Sequence, residues 1–227
     1  GKLKDDFLYT VTHELRSPLT AIRAQIELMR DEEDMPKEIR DQFLDATIGE
    51  CIRLTALISN VLDIEKFESG NQQLSLSRVD LRNTLGTILD TQLFVAEQEG
   101  ISIEIDGPEK VWTLADEKRI TQVIINLLSN AIKYADRTVK VCFKEDAKNW
   151  LIHVIDDGPG VPQDAVPHLF KKFYQSNDQT VKKRIGTGLG LAISENIIKA
   201  HKGTIELTSN TPEGNTTFTF TMSKYGN

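Results

Sequence analysis

Two groups of residues with chemical potential lie far apart in this sequence. Near the start, His13 stands beside Glu14, with Ser17 and Pro18 following one turn later, inside the run Phe7 to Leu19. An imidazole is neutral and nucleophilic near pH 7. Much later, Asn126, Asn130 and Lys133 recur at i, i+4 and i+7, so all three project from one face of a helix. Amide oxygens and a lysine on one face suit a magnesium-bound polyphosphate, because Mg²⁺ takes hard oxygen ligands and an ammonium offsets phosphate charge.

Further clusters follow in order. Asp156-Asp157-Gly158-Pro159-Gly160 comes directly after a predicted strand. A carboxylate at a strand end can accept from an exocyclic amine, and glycines let backbone approach a flat ring closely. Gly186-Thr187-Gly188-Leu189-Gly190-Leu191 opens a predicted helix, where unpaired N–H groups and the positive end of the helix dipole face a phosphate. This run is neither the dinucleotide fingerprint nor the lysine-bearing phosphate loop. Between the two lie Phe170 and Phe173, suited to anchor a lid, and a polar stretch in which Lys171, Lys182, Lys183 and Arg184 are placed to meet phosphates. Taken singly, each cluster also fits a plainer description: a polar helix face, an Asp-Gly turn, solvated lid charges.

The elements that must position these residues are legible from periodicity. Leu3, Phe7, Val11, Leu15, Ile22, Ile26 and Met29 recur at helical spacing, and a second periodic segment runs from Ile39 to Phe67 after a turn at Asp31 to Pro36. In the second segment Ile48, Cys51, Thr55, Ile58 and Leu62 form one seam, widened by Leu54, Leu57, Val61 and Ile64. A lone antiparallel hairpin cannot bury stripes this wide, so dimerisation into a four-helix bundle is expected. Pro18 has no N–H for the Glu14 carbonyl and its ring crowds that carbonyl, which predicts a kink beside His13.

Ser69-Gly70-Asn71 carries a helix stop, and the texture then changes. Strands are expected at Leu74 to Ser77, Ile101 to Ile105, Val139 to Phe143, Trp150 to Ile155, Thr204 to Thr208 and Thr217 to Thr221. Helices are expected at Leu81 to Glu99, Glu117 to Tyr134, Gln163 to Phe170 and Leu189 to Ala200. The fold class is therefore α plus α/β: a helical hairpin over residues 1–70, then over 71–227 an α/β sandwich with helices on one face of a mixed sheet.

A net charge of −7 on 227 residues, with basic residues dispersed, argues against a nucleic-acid-binding surface. Cys51 and Cys142 lie in different kinds of segment, which suggests neither a disulfide framework nor a zinc site and fits a reducing, cytoplasmic setting. No apolar run approaches the roughly 20 residues of a membrane span, and the start shows no signal-peptide pattern. A helix already under way at Gly1 suggests the C-terminal portion of something longer, with a sensor region upstream and a full-length protein that is a candidate for membrane anchoring.

Together and in order, the clusters resemble the sensor histidine kinases of two-component systems. Phe7 to Leu19 resembles their phosphoacceptor box, Asn126 to Tyr134 the N box, Asp156 to Gly160 the first glycine box, Phe170 to Phe173 the F box and Gly186 to Leu191 the second glycine box. The resemblance implies that ATP phosphorylates His13 with Glu14 taking a proton, and that the phosphoryl group then passes to an aspartate of a response-regulator receiver domain. It implies Mg²⁺ at Asn130 and Asn126. ATP contacts are implied from Lys133, Tyr134, Asp156, Gly158, Gly160, Phe173, Lys183, Arg184, Gly186, Thr187, Gly188, Leu189, Gly190 and Thr217. Domain motion about Glu68 to Asn71 is implied as well. Ser17 stands where threonine or asparagine usually orients water for phosphatase action on the regulator. Ile185 and Asn215 replace frequent glycines. The alternatives are an ATP hydrolase of the wider superfamily, which uses a glutamate at the position of Asn126, and a nucleotide-binding dimeric scaffold.

Overall fold

The computed structural model describes residues 2–70, 73–175, 187–211 and 215–225, and the chain divides into two compact units, Gly1–Gly70 and Asn71–Asn227. The first unit is a hairpin of α1 (Lys2–Asp31) and α2 (Lys37–Glu68). Asp5 in the first turn of α1 and Arg30 in its last complement the helix dipole. Pro36, extended at φ −54° and ψ 143°, starts α2 from the N-cap position. A hydroxyl–amide contact spans the hairpin, Thr47 Oγ1 donating to Gln25 Oε1 at 2.8 Å. Helix α1 runs unbroken through Pro18, whose ring is buried.

The hairpin resolves the wide apolar stripe into two. Leu57 and Ile64 are buried together with Val11, while Ile48, Ile58 and Leu62 are 55%, 46% and 55% exposed and Cys51 and Thr55 are exposed beside them. The seam marked out by the sequence is thus the one left uncovered within a single chain.

The second unit contains β1 (Ser77–Asp80), α3 (Leu81–Gln98), β2 (Ser102–Asp106), β3 (Trp112–Ala115), α4 (Glu117–Tyr134), β4 (Thr138–Glu145), β5 (Asn149–Asp156), a 3₁₀ turn at Val166–His168, α5 (Gly190–Ala200), β6 (Ile205–Thr211) and β7 (Asn215–Ser223). The main sheet has the order β2-β4-β5-β7-β6, parallel between β2 and β4 and antiparallel elsewhere. Ile152, Val154, Phe220 and Met222 of the sheet are buried, as are Leu127 and Leu128 of α4 and Ile193 and Ile197 of α5. Asp80 caps α3 through the Arg82 N–H, and Asp116 caps α4 through the Arg119 N–H. The Asp116 N–H donates to His201 Nε2 at 3.0 Å. An amide can only donate, so the neutral ring carries its proton on Nδ1, which donates to the Ile197 carbonyl at 2.8 Å. His201 thereby ties the end of α5 to the start of α4.

Two expectations need correction. The strand expected at Leu74 to Ser77 begins where that segment ends, as β1, because its partner is β3, a four-residue strand too short to show alternation. The helix expected over Gln163 to Phe170 is a single 3₁₀ turn, since Pro167 lacks the N–H that a helix over this range would use.

Candidate active site

His13 is exposed on α1. Leu8, Tyr9, Thr12 and Arg16 line a shallow surface depression with it. Ser17 lies on the same face one turn on and is exposed, whereas Glu14 is half-buried. The Thr12 hydroxyl is turned back to the Leu8 carbonyl at 2.8 Å. The His13 imidazole is thus accessible from solvent on the surface of α1.

In the second unit, α4 carries Asn126, Asn130 and Lys133, all half-buried. Asn126 Nδ2 donates to the Gly190 carbonyl at 3.2 Å and lies 3.3 Å from Ser194 Oγ. The N box is therefore joined directly to the first turn of α5. With its amide nitrogen committed there, Asn126 has Oδ1 to offer a cation, and Asn130 adds a second amide. That donor set fits Mg²⁺ held by one or two protein oxygens alongside substrate phosphates. Among the described residues no cluster of acidic, histidine or cysteine side chains offers a competing metal site. Lys133 Nζ lies 4.9 Å from the centre of the Tyr134 ring.

At the end of β5, Asp156 is only 5% exposed, and its Oδ1 accepts from the Gly158 N–H at 3.0 Å. Burial pushes its carboxyl up to about 6; the Gly158 N–H opposes this and the charges of Asp157 and Asp136 add to it. Asp157 behaves in the opposite way. Burial works to raise it too, but the backbone N–H groups of Arg137, Thr138 and Asp136 outweigh that effect and hold it below the usual carboxylate range. All three donate to Oδ1 at 2.9–3.0 Å. Gly158 is packed so tightly that a Cβ would lie 2.1 Å from the Tyr134 carbonyl oxygen, and Gly160 has φ +83°. Both glycines are required by geometry.

The F box and the second glycine box meet. Phe173 has φ +60°, a strained value for an aromatic residue, and a Cβ on Gly188, itself at φ +68°, would lie 2.7 Å from the Phe173 carbonyl carbon. Phe170 packs edge-on against Phe218 of β7 at 6.3 Å between centroids. Leu189 is fully buried, and its N–H donates to Thr187 Oγ1 at 3.3 Å. Gly190 is the first residue of α5, its Cα facing the Asn126 carboxamide. Lys182, Lys183, Arg184 and Gly186 lie outside the described residues, as does Asn71.

Among the described residues, the strand geometry turns Thr217 to the face opposite Asp156. Asp156 pairs with Thr216 and Ile155 with Thr217, and side chains alternate across a sheet, so Thr216 shares the face of Asp156 while Thr217 points to the other. Thr216 is buried at 4% exposure. Its signal was present in the sequence as the neighbouring threonine, but register alone decides between the two.

Residues 3–70 match the His Kinase A (phospho-acceptor) domain, and residues 115–226 match the Histidine kinase-, DNA gyrase B-, and HSP90-like ATPase family. The sensor histidine kinase WalK of Bacillus subtilis is 33% identical over 221 residues, which are 96% of this chain and 36% of WalK. The chain thus spans about a third of that relative's length. Among solved structures, the Acinetobacter baumannii histidine kinase AdeS superposes with a TM-score of 0.77 at 27% identity, covering 94% of this chain and 98% of that one. Full-length ShkA in complex with AMPPNP gives a TM-score of 0.71 at 25% identity over 96% of this chain and 46% of ShkA. With a phospho-acceptor hairpin followed by this ATPase-type domain, the chain belongs to the sensor histidine kinases.

Proposed function

We propose that this chain is the phosphotransfer core of a two-component sensor kinase, working as a homodimer through the exposed α2 seam. ATP binds to the second unit with its adenine amine on Asp156 and its phosphates toward Asn126, Asn130, Lys133 and the start of α5. Mg²⁺, when bound through Asn130 and Asn126, supplies charge neutralisation on the phosphates. A ring nitrogen of His13 attacks the γ-phosphorus, the bond to the ADP oxygen breaks, and Glu14 takes the proton from the other nitrogen. The phosphoryl group then passes to an aspartate carboxylate of a receiver domain, and the imidazole is regenerated. Ser17, one turn from His13, is placed to orient water for the reverse duty of dephosphorylating that receiver. The intact protein adds a sensor region and, as the length of WalK suggests, further segments; no helix among the described residues is long and apolar enough to cross a membrane.

The observation that carries this reading over simple ATP hydrolysis is the character of α4. Its sole carboxylate is Glu117, at the first position, and position 126 is an amide engaged with Gly190. The nucleotide-facing helix thus offers no general base for water, whereas His13 is itself the nucleophile and requires none on α4. Incubation of the chain with γ-labelled ATP and Mg²⁺ tests it. Label on the protein that is lost in acid and kept in base is expected for a phosphorus–nitrogen bond; label stable in acid, or release of phosphate with no labelled protein, overturns the reading.

The buried Asp156 makes nucleotide affinity dependent on pH. The carboxylate must be ionised to accept from the amine, and its raised value near 6 means that it takes up a proton well within the accessible range. ADP affinity is therefore expected to be flat above pH 7 and to weaken about tenfold per pH unit below 6. The same shift acts oppositely on the nucleotide-free fold: the native state holds this proton more tightly than the unfolded chain, so Asp156 contributes less stability as pH rises from about 4 to about 6. Titration calorimetry from pH 5 to 8 checks the first effect, and Asp156→Asn should flatten the profile.

A further inference from the structure

We propose that Asn210 is a positioning residue for the nucleotide site, fixing the exit of the Asp156–Val161 loop as Asp157 fixes its entrance; the inference rests on reading that loop as the adenine-binding segment. Asn210 lies near the end of β6, an edge strand of the main sheet, beyond a bulge between Leu207 and Ser209. Its backbone pairs with Thr216 of β7. Its side chain turns to the loop, where Oδ1 accepts from the Val161 N–H at 2.7 Å and Nδ2 donates to the Val161 carbonyl at 2.7 Å. A carboxamide is chemically a peptide group, so this pair substitutes for one rung of a strand ladder at an edge that has no further strand among the described residues. The amide orientation is fixed by the contact itself, because the reverse would set donor against donor and oxygen against oxygen.

Gly160 shows how close the approach is. A Cβ there would lie 2.8 Å from Asn210 Oδ1, in a backbone conformation that already favours glycine. At the other end of the loop, Asp157 collects the N–H groups of Asp136, Arg137 and Thr138, and Gly158 lies against the Tyr134 carbonyl. The loop is therefore tied at its entrance to the α4–β4 connection and at its exit to the β6–β7 hairpin. Gly158, whose N–H holds Asp156 Oδ1, lies between the two ties. A loop held in its binding shape before the ligand arrives spares the ordering cost of association. Through Asn210, the shape of the adenine site depends on the β6–β7 hairpin, which carries Thr216 on the same face as Asp156.

The test uses the full chain. Magnesium-AMPPNP affinity, measured by titration calorimetry without turnover, is expected to fall about tenfold in Asn210→Ala, from the loss of two neutral hydrogen bonds that pre-order the loop. Asn210→Asp keeps an acceptor for the Val161 N–H but sets an oxygen against the Val161 carbonyl, and is expected to fall at least as far. In autophosphorylation, KM for ATP should rise by the same factor while kcat at saturating ATP stays within twofold, since chemistry at His13 is untouched. Melting followed by circular dichroism confirms that both variants are folded. Wild-type affinity in Asn210→Ala, or a fall in kcat with KM unchanged, overturns the positioning role. If the unsubstituted chain binds no AMPPNP, the reading of the loop as a nucleotide site fails instead, and this inference fails with it.

Discussion

Replacing His13 with alanine is expected to abolish phosphorylation of the chain while leaving its affinity for ATP within twofold of the original. The two halves of this result have separate physical grounds. In the proposed reaction His13 supplies the nitrogen to which phosphorus becomes bonded, so its removal takes away the acceptor itself. Nucleotide affinity should persist because the N box, both glycine boxes and Asp156 belong to the unit Asn71–Asn227, which has its own core of α4, α5 and the sheet. Alanine at an exposed helix position also costs the hairpin nothing in helix propensity. Labelling with γ-³²P ATP and calorimetry on the same preparation read the two quantities. Acid-labile label that persists in the variant sinks the assignment of His13, and loss of ATP binding would show that the substitution acts through the fold.

Gly158→Ala carries the second large effect, a loss of at least a hundredfold in nucleotide affinity accompanied by a lower melting temperature of the second unit. The added methyl would lie 2.1 Å from the Tyr134 carbonyl oxygen and 2.8 Å from Asp156 Oδ1. Neither neighbour can yield cheaply. Tyr134 ends α4, where the next residue, Ala135, still donates to the Ala131 carbonyl, and residues Asp136 to Thr138 are held by Asp157. Overpacking of this kind costs about 1–3 kcal/mol or more, and displacing the Asp156 carboxylate would remove the proposed adenine contact as well. Gly49→Ala is the matching control: a Cβ there meets nothing within 4 Å, and nucleotide binding should be unaffected. Affinity retained within threefold in Gly158→Ala would contradict the packing described.

The parts of the fold that the sequence reveals are those in which one element's own pattern is decisive. Helix α4 spans Glu117–Tyr134, the range expected for it from the sequence. The hairpin is legible for the same reason, since each helix carries a long stripe. Features that depend on a partner strand are hidden: β3 has too few residues to alternate, and β1 is displaced from Leu74 because pairing with β3 decides its position. The same limit applies within the site. Asp156, Gly158 and Gly188 stand out by local chemistry, whereas which of Thr216 and Thr217 shares the face of Asp156 is set by the register of β7 on β5. The pairing of Asn210 with Val161 joins residues far apart in sequence and leaves no local trace.

The uncovered seam on α2 gives the molecule two different kinds of robustness. The nucleotide-binding unit closes its core within one chain, so its persistence is a property of the individual molecule and is indifferent to how many copies surround it. The hairpin leaves Ile48, Ile58 and Leu62 half exposed, so its persistence follows mass action and grows with the number of copies available to associate. Synthesis level then acts as a threshold. Below the dissociation constant of the seam, the second unit keeps its own core while the hairpin stands without a cover for Ile48, Ile58 and Leu62.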